Sequence, residues 1–298
     1  MQPQQWLSNG KIFEYQGHQL FYIDSNPGCR HKPVLLLIHG FPTSSYDWQK
    51  VWPQLVEHFR CISMDMLGFG YSDKPKQHNY SIHGQADLHE ALLQHLNVNG
   101  THLLAHDYGD TVAQELLARA NSSGAIEYLS VCLLNGGLFP EAHQARLVQK
   151  LLHSPLGSLV NKLMSYRQFC RSFRAIFGPD TQPSEKDLRE LWQILQYKEG
   201  NQLLYKLITY MRDRRQNRQR WVEALNQYPG PLQLINGSLD PVSGKHMVER
   251  FRQLIDRSTD IVELAQIGHY PQWEAPNNVA NAYLRFVGVN PMNFLLHS

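Results

Sequence analysis

The stretch LLAHDYGD, residues 103–110, changes character within a few positions. Residues 103–105 are apolar and typical of a short buried strand, whereas TVAQELL, residues 111–117, has the spacing of a helix. Between them, small residues flank a central acid, Asp107. A strand can turn this sharply into a helix only where its neighbours are small, and such a turn holds the central side chain out at the end of the sheet. We therefore predict that Asp107 lies at a strand-to-helix turn.

An aspartate at the centre of this turn suits one kind of covalent chemistry. A carboxylate that attacks an ester or amide forms an anhydride and gains little, whereas attack on a saturated carbon with a good leaving group gives an ester that water can cleave. Asp107 could instead only cap the following helix, since aspartate is a favoured N-cap residue. The capping interpretation would be preferred if no other part of a catalytic site followed in the chain.

A second segment predicts the groups that would stabilise a developing negative charge. VLLLIHGFP, residues 34–42, predicts an apolar strand followed by a tight loop. The backbone N–H of Phe41 in this loop and that of Tyr108 could together form an oxyanion hole beside Asp107. We also predict a cis peptide bond between Phe41 and Pro42, because proline tolerates this form far better than other residues do and the turn must point the Phe41 N–H inward.

Two later segments end in residues that could complete a catalytic triad. LQLINGSLDP, residues 232–241, predicts a strand whose following loop carries Asp240, although Asp-Pro is common in turns for local reasons. IVEL, residues 261–264, predicts another strand, and His269 lies shortly after it. The order of Asp107, Asp240 and His269 along the chain is nucleophile, acid and histidine, which is the order of the α/β-hydrolase fold.

Together these segments resemble the α/β-hydrolase superfamily, and within it the branch of epoxide hydrolases and haloalkane dehalogenases. The resemblance implies an α/β fold with a mostly parallel central sheet, helices on both faces and an inserted helical cap. HDYGD and LNGGLFPE are similar to segments of the mesoderm-specific transcript protein group. The resemblance covers roughly residues 13–286 and is tightest over residues 39–48, 65–75 and 81–115.

Epoxide hydrolysis and haloalkane dehalogenation differ in the leaving group, which is an oxygen in the first and a halide in the second. Epoxide hydrolases provide a hydrogen bond to the epoxide oxygen from tyrosines of the cap. LITYMR, residues 207–212, resembles the segment that carries the second of these tyrosines, which implies that role for Tyr210. For the first we consider Tyr166, with Tyr197 and Tyr205 behind it. The alternative for any one tyrosine is that its ring packs in the core and its hydroxyl finds a local partner.

Haloalkane dehalogenases usually hold the leaving halide with an indole N–H directly after the nucleophile, together with an asparagine or a second tryptophan. This chain has Tyr108 and Phe41 at the corresponding positions. Trp192 could replace one donor, although a tryptophan at such a position more often packs in the core. Trp48 and Trp192 are candidate substrate contacts. A dehalogenase is therefore the alternative to an epoxide hydrolase.

Asp110 stands where the family commonly has a second glycine. A second carboxylate near Asp107 could raise the pKa of the nucleophile and weaken it. This departure keeps a third hypothesis open, a protein that retains the fold and a capped pocket but binds ligands without catalysis. We nevertheless expect epoxides to be hydrolysed to diols through an ester on Asp107, which water cleaves with His269 as the base.

Composition is that of an ordinary globular enzyme: the 298 residues are 42% hydrophobic and carry a formal net charge of +2. This weak charge gives no reason to expect nucleic acid or an anionic membrane as a partner. The four cysteines are far apart, and no cysteine or histidine spacing suggests a metal site. We expect no secretory signal, no membrane span and no cofactor. We further expect a small hydrophobic substrate, a cytoplasmic location and a protein that is a monomer or a homodimer.

Strand and helix patterns alternate along the chain, which argues for a mostly parallel, covered sheet. The alternation stops after Gly137 and resumes at Trp221. We predict a core of residues 1–136 and 221–298, with residues 137–220 as a helical cap over the carboxyl ends of the strands. The arginines between residues 212 and 220 are most simply a solvated helix face.

Overall fold

An eight-stranded sheet forms the centre of the structure, a computed structural model that describes residues 1–29, 31–123 and 126–289. The order of the strands across the sheet is β1-β2-β4-β3-β5-β6-β7-β8. Strand β1 pairs with β2, and β2 with β4, in the antiparallel sense. All other neighbouring strands pair in parallel, so β4, β3, β5, β6, β7 and β8 form a parallel sheet. The strands are β1 (Lys11–Tyr15), β2 (His18–Asp24), β3 (Val34–Ile38), β4 (Arg60–Met64), β5 (Gly100–His106), β6 (Glu127–Leu134), β7 (Leu232–Gly237) and β8 (Asp260–Leu264).

The central strand β3 is apolar throughout, and its neighbours β4 and β5 carry apolar residues beside it, because both faces of the sheet are covered. Leu36 in β3 pairs with Ile62 in β4 on one side and with Leu103 in β5 on the other, and all three are fully buried. Continuous apolar runs are typical of such strands, whereas a sheet with one face in water alternates apolar and polar residues. Since parallel strands end at the same edge, the loops that follow β3, β5, β6, β7 and β8 meet there.

Fourteen helices lie in the described part of the chain, together with short 3₁₀ turns at Ser45–Trp48 and Tyr197–Gln202. They are α1 (Pro3–Asn9), α2 (Trp52–His58), α3 (Ile82–His95), α4 (Tyr108–Ser123), α5 (Leu147–Leu152), α6 (Gly157–Lys162), α7 (Tyr166–Arg174), α8 (Glu185–Gln196), α9 (Leu204–Leu207), α10 (Tyr210–Gln216), α11 (Arg218–Gln227), α12 (Lys245–Leu254), α13 (Pro271–Glu274) and α14 (Pro276–Phe286). None of these helices is both long and apolar enough to cross a membrane.

Helices alone connect β6 to β7, and serine side chains fix where two of them begin. The hydroxyl of Ser165 accepts a hydrogen bond from the N–H of Gln168 at the start of α7, and Ser184 accepts one from Asp187 at the start of α8. The prediction of an α/β fold with a mostly parallel sheet is confirmed. The assignment of residues 137–220 as a cap stays a prediction, and α11 spans its expected boundary at residue 220.

Candidate active site

Asp107 occupies the single position between the end of β5 and the start of α4. Its φ angle is +48°, in the left-handed region that residues with a side chain rarely adopt. The turn needs a glycine two residues later, because a Cβ atom at Gly109 would lie 2.4 Å from the carbonyl oxygen of Ile38. The small residue after Asp107 is therefore a steric requirement of the turn.

The Asp107 carboxylate is buried and held by the loop after β3. The backbone N–H of Phe41 donates a hydrogen bond to Asp107 Oδ2 over 3.1 Å. The peptide bond between Phe41 and Pro42 is cis, which confirms that prediction. The N–H of Tyr108 lies in the first turn of α4, where backbone donors have no acceptor within the helix. Phe41 and Tyr108 are thus placed to offer two donors to an anion on Asp107.

His269 lies between two carboxylates. Its Nδ1–H donates to Asp240 Oδ2 over 2.7 Å, and its Nε2 lies 3.9 Å from Asp107 Oδ2. All three side chains are buried, although 162 residues separate Asp107 from His269 in sequence. The structure therefore brings together the three residues that their order in the chain had suggested.

Asn135 and Ser243 hold Asp240, and sequence reasoning missed both. The Nδ2 of Asn135 donates to Asp240 Oδ2 over 3.0 Å, and the Ser243 hydroxyl donates to the same oxygen over 2.8 Å. The N–H of Val242 donates to the other carboxylate oxygen over 2.7 Å. Asn135 directly follows β6 with a φ angle of +45°. The sequence did contain one signal for Asn135, because it is a polar residue at the end of a predicted parallel strand.

Arg214 is a third residue that the sequence did not reveal. Its Nη2 donates to the backbone carbonyl of Asp107 over 3.1 Å and lies 3.6 Å from Asp107 Oδ1, while its Nε donates to the Thr111 hydroxyl over 2.7 Å. The side chain is buried. The interpretation of this arginine cluster as a solvated helix face is therefore wrong at Arg214. A guanidinium tolerates burial here because it is paired with the nucleophile and with a hydroxyl.

The two neighbouring carboxyl groups, Asp107 and Asp110, have opposite pKa shifts. Burial raises the pKa of Asp107, but the charges of His269 and Arg214 outweigh burial and hold that pKa below its usual value. Burial and the charge of Asp107 raise the pKa of Asp110 well above its usual value. Asp110 therefore holds its proton more tightly than Asp107 does. Any rise that Asp110 could cause in the pKa of Asp107 is outweighed by the charges of His269 and Arg214.

The pKa of His269 is raised to about 9. Burial opposes the charged imidazolium, but the charge of Asp240, the hydrogen bond to it and the charge of Asp107 outweigh burial. The three ionisable groups therefore stabilise one another's charged forms.

An apolar cavity of about 520 Å³ opens onto Asp107, His269 and Phe41. Eleven of its 21 lining residues belong to helices α5, α6 and α7, which follow β6, and seven of those eleven are apolar. Asp107 and His269 lie at the end where the parallel strands terminate, and Arg146, Gln149, Gln168, Arg171 and Ser172 add polar groups on the side of the helices. This arrangement is typical of sites for small hydrophobic molecules.

The ring of Tyr210 packs against the two residues whose N–H groups face Asp107, with its centroid 4.9 Å from the ring of Tyr108 and 5.9 Å from that of Phe41. Burial, followed by the charge of Asp107, raises the pKa of the Tyr210 phenol, while weak hydrogen bonds from Arg214 and Gln149 lower it in part. Tyr210 is not among the residues that line the cavity. A buried O–H donor therefore lies within the influence of the Asp107 charge, behind the cavity wall.

Three other aromatic candidates do not reach this cavity. The Tyr166 hydroxyl donates to Glu185 over 3.1 Å, and its ring packs against Trp192, which also contacts Phe169. Trp48 is fully buried. None of Tyr166, Trp192 and Trp48 contributes to the lining of the cavity. The expected roles of Tyr166 as proton donor and of Trp192 as substrate contact are wrong, because Glu185 and the packing of α7 on α8 hold both side chains elsewhere. The expected contact of Trp48 with substrate is wrong because its ring is packed in the core.

No cluster of His, Cys, Asp and Glu suited to a metal ion occurs within residues 1–29, 31–123 and 126–289. In the same part of the chain, all four cysteines are free thiols. The groups available to this site are therefore carboxylates, an imidazole, a guanidinium, a phenol and backbone N–H donors.

Comparison with known proteins places this geometry in a family. Residues 33–276 match the family model described as alpha/beta hydrolase fold. The chain belongs to the α/β-hydrolase family. The predicted resemblance to the α/β-hydrolase superfamily is therefore confirmed.

Two relatives match nearly the whole chain. The mesoderm-specific transcript homolog protein of Homo sapiens is 44% identical over 290 residues, which cover 95% of this chain and 87% of that protein. The putative hydrolase LipZ of Mycobacterium tuberculosis is 38% identical over 282 residues, which cover 94% of this chain and 96% of that protein. The names of these two relatives therefore state no substrate.

More specific names come with shorter or more distant matches. A haloalkane dehalogenase of Bradyrhizobium diazoefficiens is 35% identical over 92 residues, which cover 31% of this chain and 29% of that protein. Epoxide hydrolase 1 of Caenorhabditis elegans is 33% identical over 96 residues, which cover 32% of this chain and 23% of that protein. The crystal structure of haloalkane dehalogenase DbeA from Bradyrhizobium elkani has a TM-score of 0.78 at 22% identity and covers 94% of this chain and 98% of its own. That structural likeness supports the fold.

Proposed function

We propose that this protein hydrolyses epoxides to diols through a covalent ester on Asp107. The observation that carries the proposal is the ionised carboxylate at the strand-to-helix turn, with an N–H donor on one oxygen and His269 3.9 Å away. A serine hydrolase would attack with a hydroxyl, but no hydroxyl occupies this position. A carboxylate nucleophile acts best on a saturated carbon, since only then is its product an ester.

In the first step, Asp107 attacks a ring carbon of the epoxide. The Phe41 N–H holds Oδ2, so Oδ1, 3.6 Å from the Arg214 guanidinium, is the attacking oxygen. As the new C–O bond forms, the ring C–O bond breaks and its electron pair moves to the epoxide oxygen. The Tyr210 hydroxyl transfers its proton to that oxygen, and the phenolate regains a proton from solvent. Arg214 and His269 keep Asp107 ionised and therefore nucleophilic.

In the second step, water cleaves the ester. Ester formation removes the negative charge of Asp107, which is one of the charges that raise the pKa of His269. The pKa of His269 therefore falls once the intermediate has formed, so the imidazolium releases its proton to solvent and the neutral imidazole can take a proton from water. The hydroxide attacks the ester carbonyl carbon, and the N–H groups of Phe41 and Tyr108 stabilise the oxyanion. Collapse breaks the bond to the alkyl oxygen, which takes the proton from His269 and leaves as the diol. The Asp107 carboxyl group then passes its remaining proton to His269, which regenerates the starting state.

A haloalkane dehalogenase is the second candidate, supported by the partial match to the enzyme of Bradyrhizobium diazoefficiens. A departing halide needs N–H donors rather than a proton. In the described part of the chain, no tryptophan lines the cavity that contains Asp107. Tyr210 does not line the cavity either, but its phenol lies close enough for the charge of Asp107 to raise its pKa, and an O–H donor suits an oxygen leaving group. This favours the epoxide.

The proposal includes a small hydrophobic substrate, for which the 520 Å³ apolar cavity has the matching size and lining. The helices of residues 137–220 would form the cap over this substrate. A cytoplasmic location and a monomeric or homodimeric state stay predictions.

Two experiments test the covalent mechanism. In a single turnover in water enriched in heavy oxygen, we expect the label to enter the Asp107 carboxylate before it appears in the diol. In His269→Gln, the ester should form but not hydrolyse, so mass spectrometry should detect the protein plus the mass of the substrate. His95→Gln, a change at an exposed histidine, is the matched control and should form no stable adduct. A panel of epoxides and haloalkanes that gives neither label nor adduct would overturn the proposal.

A further inference from the structure

Exposed apolar side chains are concentrated in one short segment. Ten large hydrophobic residues are exposed within the described residues, and five of them are leucines between positions 147 and 163. We call these five residues the leucine rim: Leu147 (72% exposed), Leu151 (43%), Leu156 (64%), Leu159 (55%) and Leu163 (66%). Single exposed leucines need no explanation, whereas such a cluster is typical of a binding surface.

The leucine rim lies at the mouth of the cavity that contains Asp107. Leu147 and Leu151 are four residues apart in α5, and Leu159 and Leu163 are four residues apart at α6, so each pair shares one helix face. The helices α5 and α6 contact each other. Leu147 and Leu151 are exposed and also line the cavity, which makes them part of its entrance.

Basic side chains surround the leucine rim. Residues 142–175 contain six lysines and arginines and no aspartate or glutamate, although the whole chain is nearly neutral. Within the described residues, only Arg174 of these six forms an ion pair, with Glu185. The other five basic residues have no acidic partner there: Arg146, Lys150, Lys162, Arg167 and Arg171.

We propose that the leucine rim docks on the surface of an anionic lipid bilayer, with the cavity mouth facing the lipid. Short helices with exposed leucines and flanking lysines and arginines bind membrane interfaces, because the leucines enter the acyl region while the basic groups reach the anionic headgroups. A second copy of this chain is a poorer occupant, since it would bring the same basic set against itself. The net charge of +2 gave no reason to expect such a partner, because it averages this segment with the rest of the chain.

Vesicle flotation of the full chain tests this proposal without any turnover, so the result is independent of the proposed reaction. We expect binding to vesicles of phosphatidylcholine mixed with phosphatidylserine, weaker binding to phosphatidylcholine alone, and loss of the difference at high salt. The double variant Leu159→Glu, Leu163→Glu should lower the partition coefficient by about tenfold or more. Neither residue lines the cavity.

Matched controls separate this surface from general effects of charge and hydrophobicity. Ile12→Glu replaces an apolar residue that is 54% exposed on β1 and should leave vesicle binding unchanged. Lys150→Gln with Lys162→Gln should weaken binding only to the anionic vesicles, whereas Lys11→Gln should not. Circular dichroism melting checks that each variant is folded.

Three results would overturn the proposal. The first is no binding of the unmodified protein to either vesicle, and the second is equal loss of binding in Ile12→Glu and in the double variant. The third is sedimentation showing that the double variant converts a dimer to a monomer while vesicle binding is unchanged, which would make the leucine rim a contact between copies.

Discussion

The guanidinium of Arg214 lies 3.6 Å from the carboxylate of Asp107, although 107 positions separate the two residues in sequence. A carboxylate buried at this depth would tend to take up a proton, because burial disfavours its charged form. Arg214 and His269 reverse that tendency and keep the pKa of Asp107 below its usual value. The nucleophile is therefore maintained by a residue of the segment between β6 and β7.

Arg214→Met should raise the pKa of Asp107 and slow attack on the epoxide. Removal of a neighbouring arginine typically raises the pKa of a carboxylate by about 1–3 units, so the acidic limb of kcat/KM should move to higher pH. At acidic pH we expect a loss of about tenfold for each pH unit by which the limb moves, whereas near neutral pH the loss should be small. Measurement of kcat/KM from acid to neutral pH checks this. Arg215→Met, at the exposed neighbouring position, should leave the profile unchanged, and an unshifted profile in Arg214→Met would contradict the role given to Arg214.

Asp110→Asn should retain turnover, because the raised pKa of Asp110 favours its neutral form and an amide has nearly the same shape as a neutral carboxyl group. The pKa of Asp110 is raised in the folded protein, so this group reduces stability progressively as pH rises above its unfolded pKa of about 4. The amide removes that loss, and chemical denaturation at neutral pH should show an equal or higher free energy of unfolding. Asp107→Asn, the same change three residues earlier, should abolish turnover. Equal inactivation by both changes would contradict a neutral Asp110.

The main parts of the fold and the triad could be predicted because they are local or ordered in sequence. The strand-to-helix turn at Asp107 requires small neighbours, which can be read directly from residues 103–110. The positions of Asp240 and His269 follow from strands that end at one edge of a parallel sheet. In such cases each residue is specified by the element directly before it.

Burial and side-chain direction within the helical segment could not be predicted. Arg214 and Arg215 are adjacent and chemically identical, yet only Arg214 turns toward α4 and is buried. Tyr166 has the chemistry of a proton donor, but it pairs with Glu185 and does not reach the cavity. These outcomes depend on how short helices pack on one another, and the spacing of residues in sequence does not determine that packing.

His269 should make the stability of the protein depend on pH. Its pKa is raised to about 9 in the folded protein, compared with about 6.5 in an unfolded chain. The stabilisation from the charged imidazolium is therefore fully present below about pH 6.5 and is lost as pH rises through about 9. The difference in free energy of unfolding between the unmodified protein and His269→Gln should shrink over that interval. A difference that stays constant with pH would contradict the raised pKa.

Tyr210→Phe distinguishes the two leaving groups. Burial and the charge of Asp107 raise the pKa of this phenol, so it can supply a proton, and its loss should lower epoxide turnover by about one to three orders of magnitude, as expected for one acid or oxyanion donor. Any haloalkane turnover should be nearly unchanged, since a halide needs no proton. The matched control is Tyr166→Phe, which removes a hydroxyl that donates to Glu185 and should leave both activities intact.

Rates for a panel of epoxides and haloalkanes, measured in Tyr210→Phe and in Trp192→Phe, decide which leaving group the site serves. If Tyr210→Phe has no effect on epoxides while Trp192→Phe removes dehalogenation, the dehalogenase is the correct function and an indole outside the observed lining must reach the halide. If the unmodified protein turns over neither substrate class, a ligand-binding role becomes the better explanation. A selective loss of epoxide turnover in Tyr210→Phe is expected, because only an oxygen leaving group uses the proton that Tyr210 supplies.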